Sequence, residues 1–534
     1  MLSASALPQR SPVVGVWPFA ITAIAVAMLL GAILAFNDGV FVYTLDDPYI
    51  HMALAANIAE FHYGLNASAY AAPSSSILWP FLLAPFAGMD RFVYVPLAFN
   101  LAALGANVAL LHTLFRRAFA DASHADLAAT WLTIASVLTL NLVGLALTGM
   151  EHELQVTLAL AVLLGIHDLA RGDGPPRWLV AAIICGPLVR YESLSLTIAA
   201  AAVLFVHGYR YPALTAIGAV AALLGGFSLF LLSLGLPALP SSVMTKLAGP
   251  VAVSGAAPVG GVAEFLVRRG ADIILEPRPA VLFVLAATGL GAWLLLSRRK
   301  RDHRGVLAVM TLTGAGHLAL GGWDALARYE IYVLAVLVGG LFVVYGDELR
   351  AAMERTRPAT LLLACSLALA VVFGRYIGVS TKSPLAANNI YEQQYQMHRF
   401  VTEYHRAPVA VNDLGLVSFG NPNFVLDLWG LGSEEARRAW RTAQQGWPER
   451  LVERHKVPLV MIYSEWFARS GGVSPDWTLV GRLFLGSTVF SVGGNPVDFY
   501  VTPAGDPATV REQLQRFAPS LPEGVHLQIG RAHV

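Results

Sequence analysis

Apolar runs long enough to cross a bilayer recur through the first 380 residues of this 534-residue chain, and they decide its fold class. A spanning helix needs about 20 mostly apolar residues, because roughly 30 Å of hydrocarbon must be crossed at about 1.5 Å per residue. Such runs fall near 14–36, 92–115, 125–149, 152–170, 178–190, 191–208, 212–236, 279–297, 305–322, 329–347 and 360–378. The pattern predicts a polytopic α-helical membrane protein with about 11 transmembrane helices. The runs 178–190 and 191–208 are short and read as half-helices that meet inside the membrane. The stretch 76–89 is too short and too interrupted by proline to cross, so it reads as re-entrant or interfacial.

Charge follows the same division. Only 13% of the residues are charged and 56% are hydrophobic, against about 25% charged in soluble domains. A soluble enzyme of this size is excluded, and so is a disordered chain, which needs low hydrophobicity and high net charge. The net charge of +1 gives no electrostatic reason to expect nucleic acid. Of the 71 charged residues, 28 fall in the last 154, which predicts a wetter C-terminal domain. The two cysteines, Cys185 and Cys365, sit in apolar runs and read as packing residues, with no metal-ligand spacing. Arginine supplies 32 of the 36 basic residues, which fits a GC-rich bacterial genome.

The apolar run at 13–36 is too long for a signal-peptide core and lacks a small-residue cleavage site, so it reads as a retained first span. The final residues, 528–534, resemble a translated sequencing adapter and are set aside from the fold. With the N-terminus inside, basic clusters fall on alternate connections: Arg116 and Arg117, Arg171 and Arg177, Arg210, the run from Arg298 to Arg301 with Arg304, then Arg350, Arg355 and Arg357. Positive residues in short loops stay cytoplasmic. Eleven spans therefore place outside a first loop (38–75), a second loop (237–278) and the region from 380 onward. The organisation expected is a membrane domain over 1–379 and an extracytoplasmic domain over 380–527, multi-pass in a bacterial inner (plasma) membrane. The outer region alternates short β-like runs (409–411, 424–426, 459–463, 488–492, 499–501) with a helix-like stretch at 389–404, and so predicts a small α/β unit.

The first outer loop opens with Thr44-Leu45-Asp46-Asp47-Pro48-Tyr49-Ile50-His51. Asp47 before Pro48 is a helix start signal. Two adjacent carboxylates at the membrane surface also suit general-base work on an acceptor hydroxyl, because the adjacent charge raises one of the two pKa values. His51 lies about one turn beyond Asp47.

This loop, with Asn57, Gly64-Leu65-Asn66 and Pro73-Ser74-Ser75-Ser76, resembles the first loop of the GT-C glycosyltransferases. Those are polytopic enzymes that take a sugar from a polyprenyl-phosphate carrier on the outer membrane face. The nearest likeness is to the bacterial arabinofuranosyltransferase-like branch, and more distantly to the protein mannosyltransferases. Thr148-Gly149-Met150-Glu151, Arg190-Tyr191-Glu192, Pro240-Ser241-Ser242 leading to Lys246, Asn412-Asp413-Leu414-Gly415 and the run from Leu426 to Leu431 extend the resemblance over most of the chain. Arg190-Tyr191 departs from the Arg-Pro usual there.

The resemblance implies Asp46 as general base with Asp47 as its partner, or the reverse. Arg190, fixed by Glu192, either holds the lipid phosphate or forms a buried ion pair. Lys246 is either a second phosphate contact or a solvated loop residue, and Arg328 either faces the phosphate or sits at the interface. Glu151 and His152 either position substrate near Asp46 or simply open a helix, and His51 is a further substrate-binding candidate on the face of Asp47. The activity expected is inverting transfer of a sugar from a polyprenyl-phosphate donor to a glycan, lipid or protein acceptor of the cell envelope. No cofactor is required, and a divalent metal on the paired aspartates is compatible but not demanded. The rivals are a transporter or lipid-linked glycan flippase and an O-antigen-ligase-like transferase. Asn66-Ala67-Ser68 matches a glycosylation sequon, a chance match in a bacterium. Asp413 and Asp427 read as turn or folding residues of the outer domain.

Overall fold

The computed structural model describes residues 14–120, 124–169, 174–248, 279–297, 299–323, 326–442 and 445–530. Residues 249–278, most of the loop expected over 237–278, and the tail from 531 lie outside the described residues. Helices occupy all eleven apolar runs. By length and composition, however, only four of the described helices can cross a membrane alone: Trp17–Phe36 (α1), Phe92–Ala118, Arg210–Ser233 and Pro279–Ser297. Two bent pairs raise that number to six: Ile331–Val344 with Gly346–Arg355, at 59°, and Pro358–Val372 with Gly374–Thr381, at 74°. Against the eleven runs read from the sequence, the described helices thus give four candidate spans, or six with the bent pairs.

The cause is interruption. The run at 125–149 breaks at Asn141, in the left-handed conformation, leaving Ala125–Thr139 and Leu142–Ala146. Arg177–Val189 ends at Arg190, whose backbone is extended, and Leu194–Val206 follows. Thirteen-residue helices rise only about 20 Å, too little for a bilayer. These are the two half-helices expected from the short runs. The stretch 76–89 carries only the six-residue helix Leu78–Leu83 and a further short turn. It packs against the interruption: Ile77 N–H donates to the Leu188 carbonyl at 3.0 Å, and Ser76 Oγ donates to the same oxygen at 3.4 Å. A carbonyl released by a broken helix thereby keeps a protein partner, as irregular backbone at membrane depth must.

Lipid is the solvent that suits the outer surface. Along α1, Phe19, Ile24, Met28, Leu34 and Phe36 are all exposed, and Leu214, Leu223, Leu229 and Leu232 do the same on Arg210–Ser233. Apolar surface on that scale is unfavourable in water. Inside, one large core joins residues of these helices, including Leu111, Phe115, Leu163, Leu204, Leu307 and Leu337.

Beyond residue 382 a helical rod runs over 383–405, widening into π-helical turns at Tyr391–Tyr395 and Phe400–His405. A six-stranded sheet follows, with β1 (Val409–Val411), β2 (Val425–Asp427), β3 (Leu459–Ile462), β4 (Thr478–Phe484), β5 (Val497–Val501) and β6 (His526–Ile529) in the order β2-β1-β3-β5-β4-β6. β1 runs parallel to β2 and β3; the β3–β5, β4–β5 and β4–β6 pairs are antiparallel. The two-residue period of the strands divides the sheet cleanly between two cores. Val409, Val411, Leu459 and Met461 face a core shared with Ile50, Leu54, Tyr63 and Leu65 of the first loop. Ala410, Val460 and Ile462 face the opposite core with Trp447, Leu451 and Phe467.

The run at 488–492 is not a strand. Asn389 Oδ1 accepts from the amides of Phe490 and Ser491, at 2.6 and 3.1 Å, so these groups are unavailable to a ladder. β4 and β6 were not expected, and β6 carries Gln528 and Ile529 into register with Arg482 and Gly481.

The alternation of the basic clusters predicts opposite faces for Asp302 and Ser433. A cysteine at Ser433 in intact spheroplasts is therefore expected to react with an impermeant thiol reagent, and one at Asp302 to be protected. Labelling of both or neither would contradict this arrangement.

Candidate active site

The site begins where α1 ends. After Phe36 the chain turns and re-enters a helix, α2 (Asp47–Ala59), with Pro48 in its first turn. Tyr43 pins the connection: its hydroxyl donates to the Val93 carbonyl at 2.6 Å and accepts from Leu97 N–H at 3.0 Å. Gly149, at φ +71°, packs on this segment; a Cβ there would fall 2.7 Å from the Tyr43 ring and 2.8 Å from Pro48. The Thr148-Gly149-Met150-Glu151 turn can therefore sit directly against the aspartate loop.

The two aspartates have different surroundings. Asp46 is buried, at 6% exposure, and both its carboxylate oxygens are engaged. Oδ2 accepts from Gly415 N–H at 2.5 Å and Oδ1 from Leu416 N–H at 2.8 Å, both in the C-terminal α/β domain. Burial, reinforced by the neighbouring Asp413 carboxyl, holds the Asp46 pKa above the usual carboxylate range despite those two bonds. Asp413, itself raised by burial, accepts from Gln394 Nε2 at 2.7 Å and lies 3.1 Å from the Tyr463 hydroxyl. Asp47 is open by comparison: its side chain is 40% exposed, and its Oδ2 accepts from Arg328 Nη1 at 2.6 Å.

A second cluster lies beside the first. Arg190 is 1% exposed, and four of its five N–H groups have partners. Nη1 donates to Glu151 Oε1 at 2.7 Å and Ser75 Oγ at 3.2 Å; Nε and Nη2 fork onto Glu192 at 3.2 and 2.5 Å. His51 pairs with Ser74 Oγ at 3.0 Å and lies 3.7 Å from Glu151. Burial lowers its pKa, outweighing the pull of Glu151. Tyr329 joins the clusters, with the Arg190 guanidinium 5.1 Å and the Arg328 guanidinium 4.9 Å from its ring centre. Arg328 Nη2 also donates to the Tyr329 hydroxyl at 3.1 Å, and the buried His152 ring lies 5.6 Å from the same ring.

Eight of the nine residues singled out from the sequence thus gather around Tyr329 and the start of α2. Lys246 stands in the Ser241–Ala248 helix, and its side chain lies outside the described residues. Arg190 forms a buried ion pair, with Glu151 and Glu192 on its guanidinium. Among the described residues no group of three His, Cys, Asp or Glu side chains is placed to hold a metal. Tyr329, Gln394 and Tyr463 had no signal in the sequence. Asp413 did, in the Asn-Asp-Leu-Gly run, but as a turn residue. Asp427 does serve a turn, accepting from the amides of Trp429, Gly430 and Gly432.

A family described as a domain of unknown function (DUF8728) matches residues 388–500. No curated protein matches the chain. Among solved structures, the Archaeoglobus fulgidus oligosaccharyltransferase in its apo form is similar at a TM-score of 0.47 and 13% identity, over 96% of this chain and 79% of that one. The same enzyme with Zn and sulfate gives 0.45 at 13% identity, over 90% and 74%. The archaeal oligosaccharyltransferase AglB from that organism, with an inhibitory peptide and a dolichol-phosphate, gives 0.44 at 13% identity, over 93% and 77%. At those scores the chemistry of the present site rests on its own residues.

The ion cluster makes a prediction about stability. Replacing Arg190 by leucine leaves Glu151 buried without its cation, a change that costs about 3–5 kcal/mol. Arg190→Leu is expected to unfold at a clearly lower temperature in detergent, and Arg190→Leu with Glu151→Gln to recover part of the loss. Wild-type thermal stability in Arg190→Leu would contradict a bracing role.

Proposed function

We propose that the chain is an inverting glycosyltransferase that moves a sugar from a polyprenyl-phosphate carrier to a cell-envelope acceptor at the outer membrane face. The observation that carries this reading is the open carboxylate of Asp47, paired with the Arg328 guanidinium at 2.6 Å, at the outer end of the first apolar helix. A lipid-borne sugar and a water-borne hydroxyl can meet at such a boundary. The first-loop motif points the same way.

Of the two assignments open for the aspartates, the geometry favours Asp47 as base. Asp46 has both oxygens on amides, whereas Asp47 has solvent on one side. The acceptor oxygen attacks the anomeric carbon as its proton passes to Asp47. The bond from that carbon to the phosphate oxygen breaks, and its electron pair leaves with polyprenyl phosphate. Arg328 stands beside the base, and its positive charge would stabilise the charge that develops on the leaving group. Arg190 with Glu151, Glu192 and Tyr329 would hold Arg328 in place from behind.

The test is incubation of purified protein in detergent with a panel of radiolabelled polyprenyl-phosphate sugars, scoring release of polyprenyl phosphate. Positioned general-base catalysis is worth about 10²–10⁴-fold. Asp47→Asn is expected to lose turnover on that scale while still binding donor. Full turnover in Asp47→Asn would remove this residue from the chemistry, and transport of an intact donor without release would favour the flippase.

A further inference from the structure

The first loop is tied to the outer domain at two points, 359 and 369 residues apart in sequence. One is the Asp46 carboxylate on the Gly415 and Leu416 amides. The other is Asn66, whose Nδ2 donates to the Val425 carbonyl and whose Oδ1 accepts from Val425 N–H, both at 2.9 Å. Val425 lies in β2, the edge strand of the sheet. An edge strand presents backbone donors and acceptors with no ladder partner. The Asn66 amide supplies that partner at a single residue, as a neighbouring strand would.

The two ties bracket α2. Asp46 immediately precedes its first residue, and Asn57 near its end donates to the Gly64 carbonyl at 2.7 Å, two residues before Asn66. Between the ties, Ile50, Leu54 and Leu65 share one apolar core with Leu414, Val417 and Val425. Close approach is built into the outer partner. A Cβ on Gly415 would fall onto the Asp46 backbone carbonyl and 2.6 Å from its Oδ2, so only glycine leaves room for the carboxylate.

We infer that the outer domain is the template on which the first-loop helix is set, with Asp46 and Asn66 as positioning residues that hold α2, and Asp47 with it, at both ends. This gives the segment matched by the family of unknown function a role: it orients a group carried by the membrane domain. The catalytic consequence rests on the reading of Asp47 as base; the clamp itself does not.

Distance and turnover test the two parts separately. With Cys185 and Cys365 replaced by alanine, spin labels at Glu60→Cys and Glu453→Cys report the separation of α2 from the outer domain by pulsed electron resonance. Wild-type protein is expected to give one narrow distribution. Asn66→Ala, which removes one tie, and Gly415→Ala, which displaces the intact Asp46 carboxylate, are each expected to broaden it. In the donor-release assay both variants should lose kcat by about 10²-fold, the scale of a 1 Å misplacement, with donor KM unchanged. Unchanged distributions in both variants overturn the clamp, and broadening with unchanged kcat overturns its positioning role. If wild-type protein releases no polyprenyl phosphate from any donor, the transferase reading fails, and the distances alone decide the clamp.

Discussion

The contact between the Asp46 carboxylate and the backbone amides of Gly415 and Leu416 is the constraint from which the site follows. A buried carboxylate with two amide donors cannot swing away without leaving charged and polar groups unpaired, at a cost of about 1–3 kcal/mol for each such group. It therefore fixes where α2 begins. The next residue, Asp47, is left on the open side of the same turn, facing Arg328. The paired aspartates divide by position: one is buried on the amides of Gly415 and Leu416, and the other is half-exposed beside Arg328.

Behind that turn the membrane domain supplies a stiff backing. The chain breaks its helix at Arg190, and the side chain at the break gathers Glu151, Glu192 and Ser75 around one guanidinium. Buried charge survives only when paired and hydrogen-bonded, so the break and the cluster require one another. Tyr329 then carries the arrangement outward, with a cation against its ring from Arg190 and from Arg328. A continuous line of contacts runs from the interrupted helix to the carboxylate at the surface.

Much of this was legible in the sequence, and the reasons for the rest are physical. Apolar runs locate helices reliably because lipid demands them, and the shortness of 178–190 and 191–208 already marked the break at Arg190. The number of complete spans was not legible, because Asn141, Tyr345 and Phe373 interrupt helices without a proline to announce it. β1, β2, β3 and β5 followed from short β-branched and apolar runs. β4, with a glycine at its centre, and the half-exposed β6 gave too little alternation. The sequence brought Asp46 and Asp47 forward together, with Asp46 named first as base and the reverse left open. The amides that separate their roles lie 369 and 370 residues away, and only folding brings them near.

The central claim is that Asp47 is the substrate-facing carboxylate and Asp46 is sealed. Carbodiimide coupling of carboxyl groups to an amine tag, followed by peptide mass spectrometry, tests it directly. The account predicts a tag on Asp47, little on Asp46 or Asp413, and protection of Asp47 when a polyprenyl-phosphate sugar is bound. A tag on Asp46 with Asp47 untouched, or a tag on Asp47 that no donor diminishes, would contradict it.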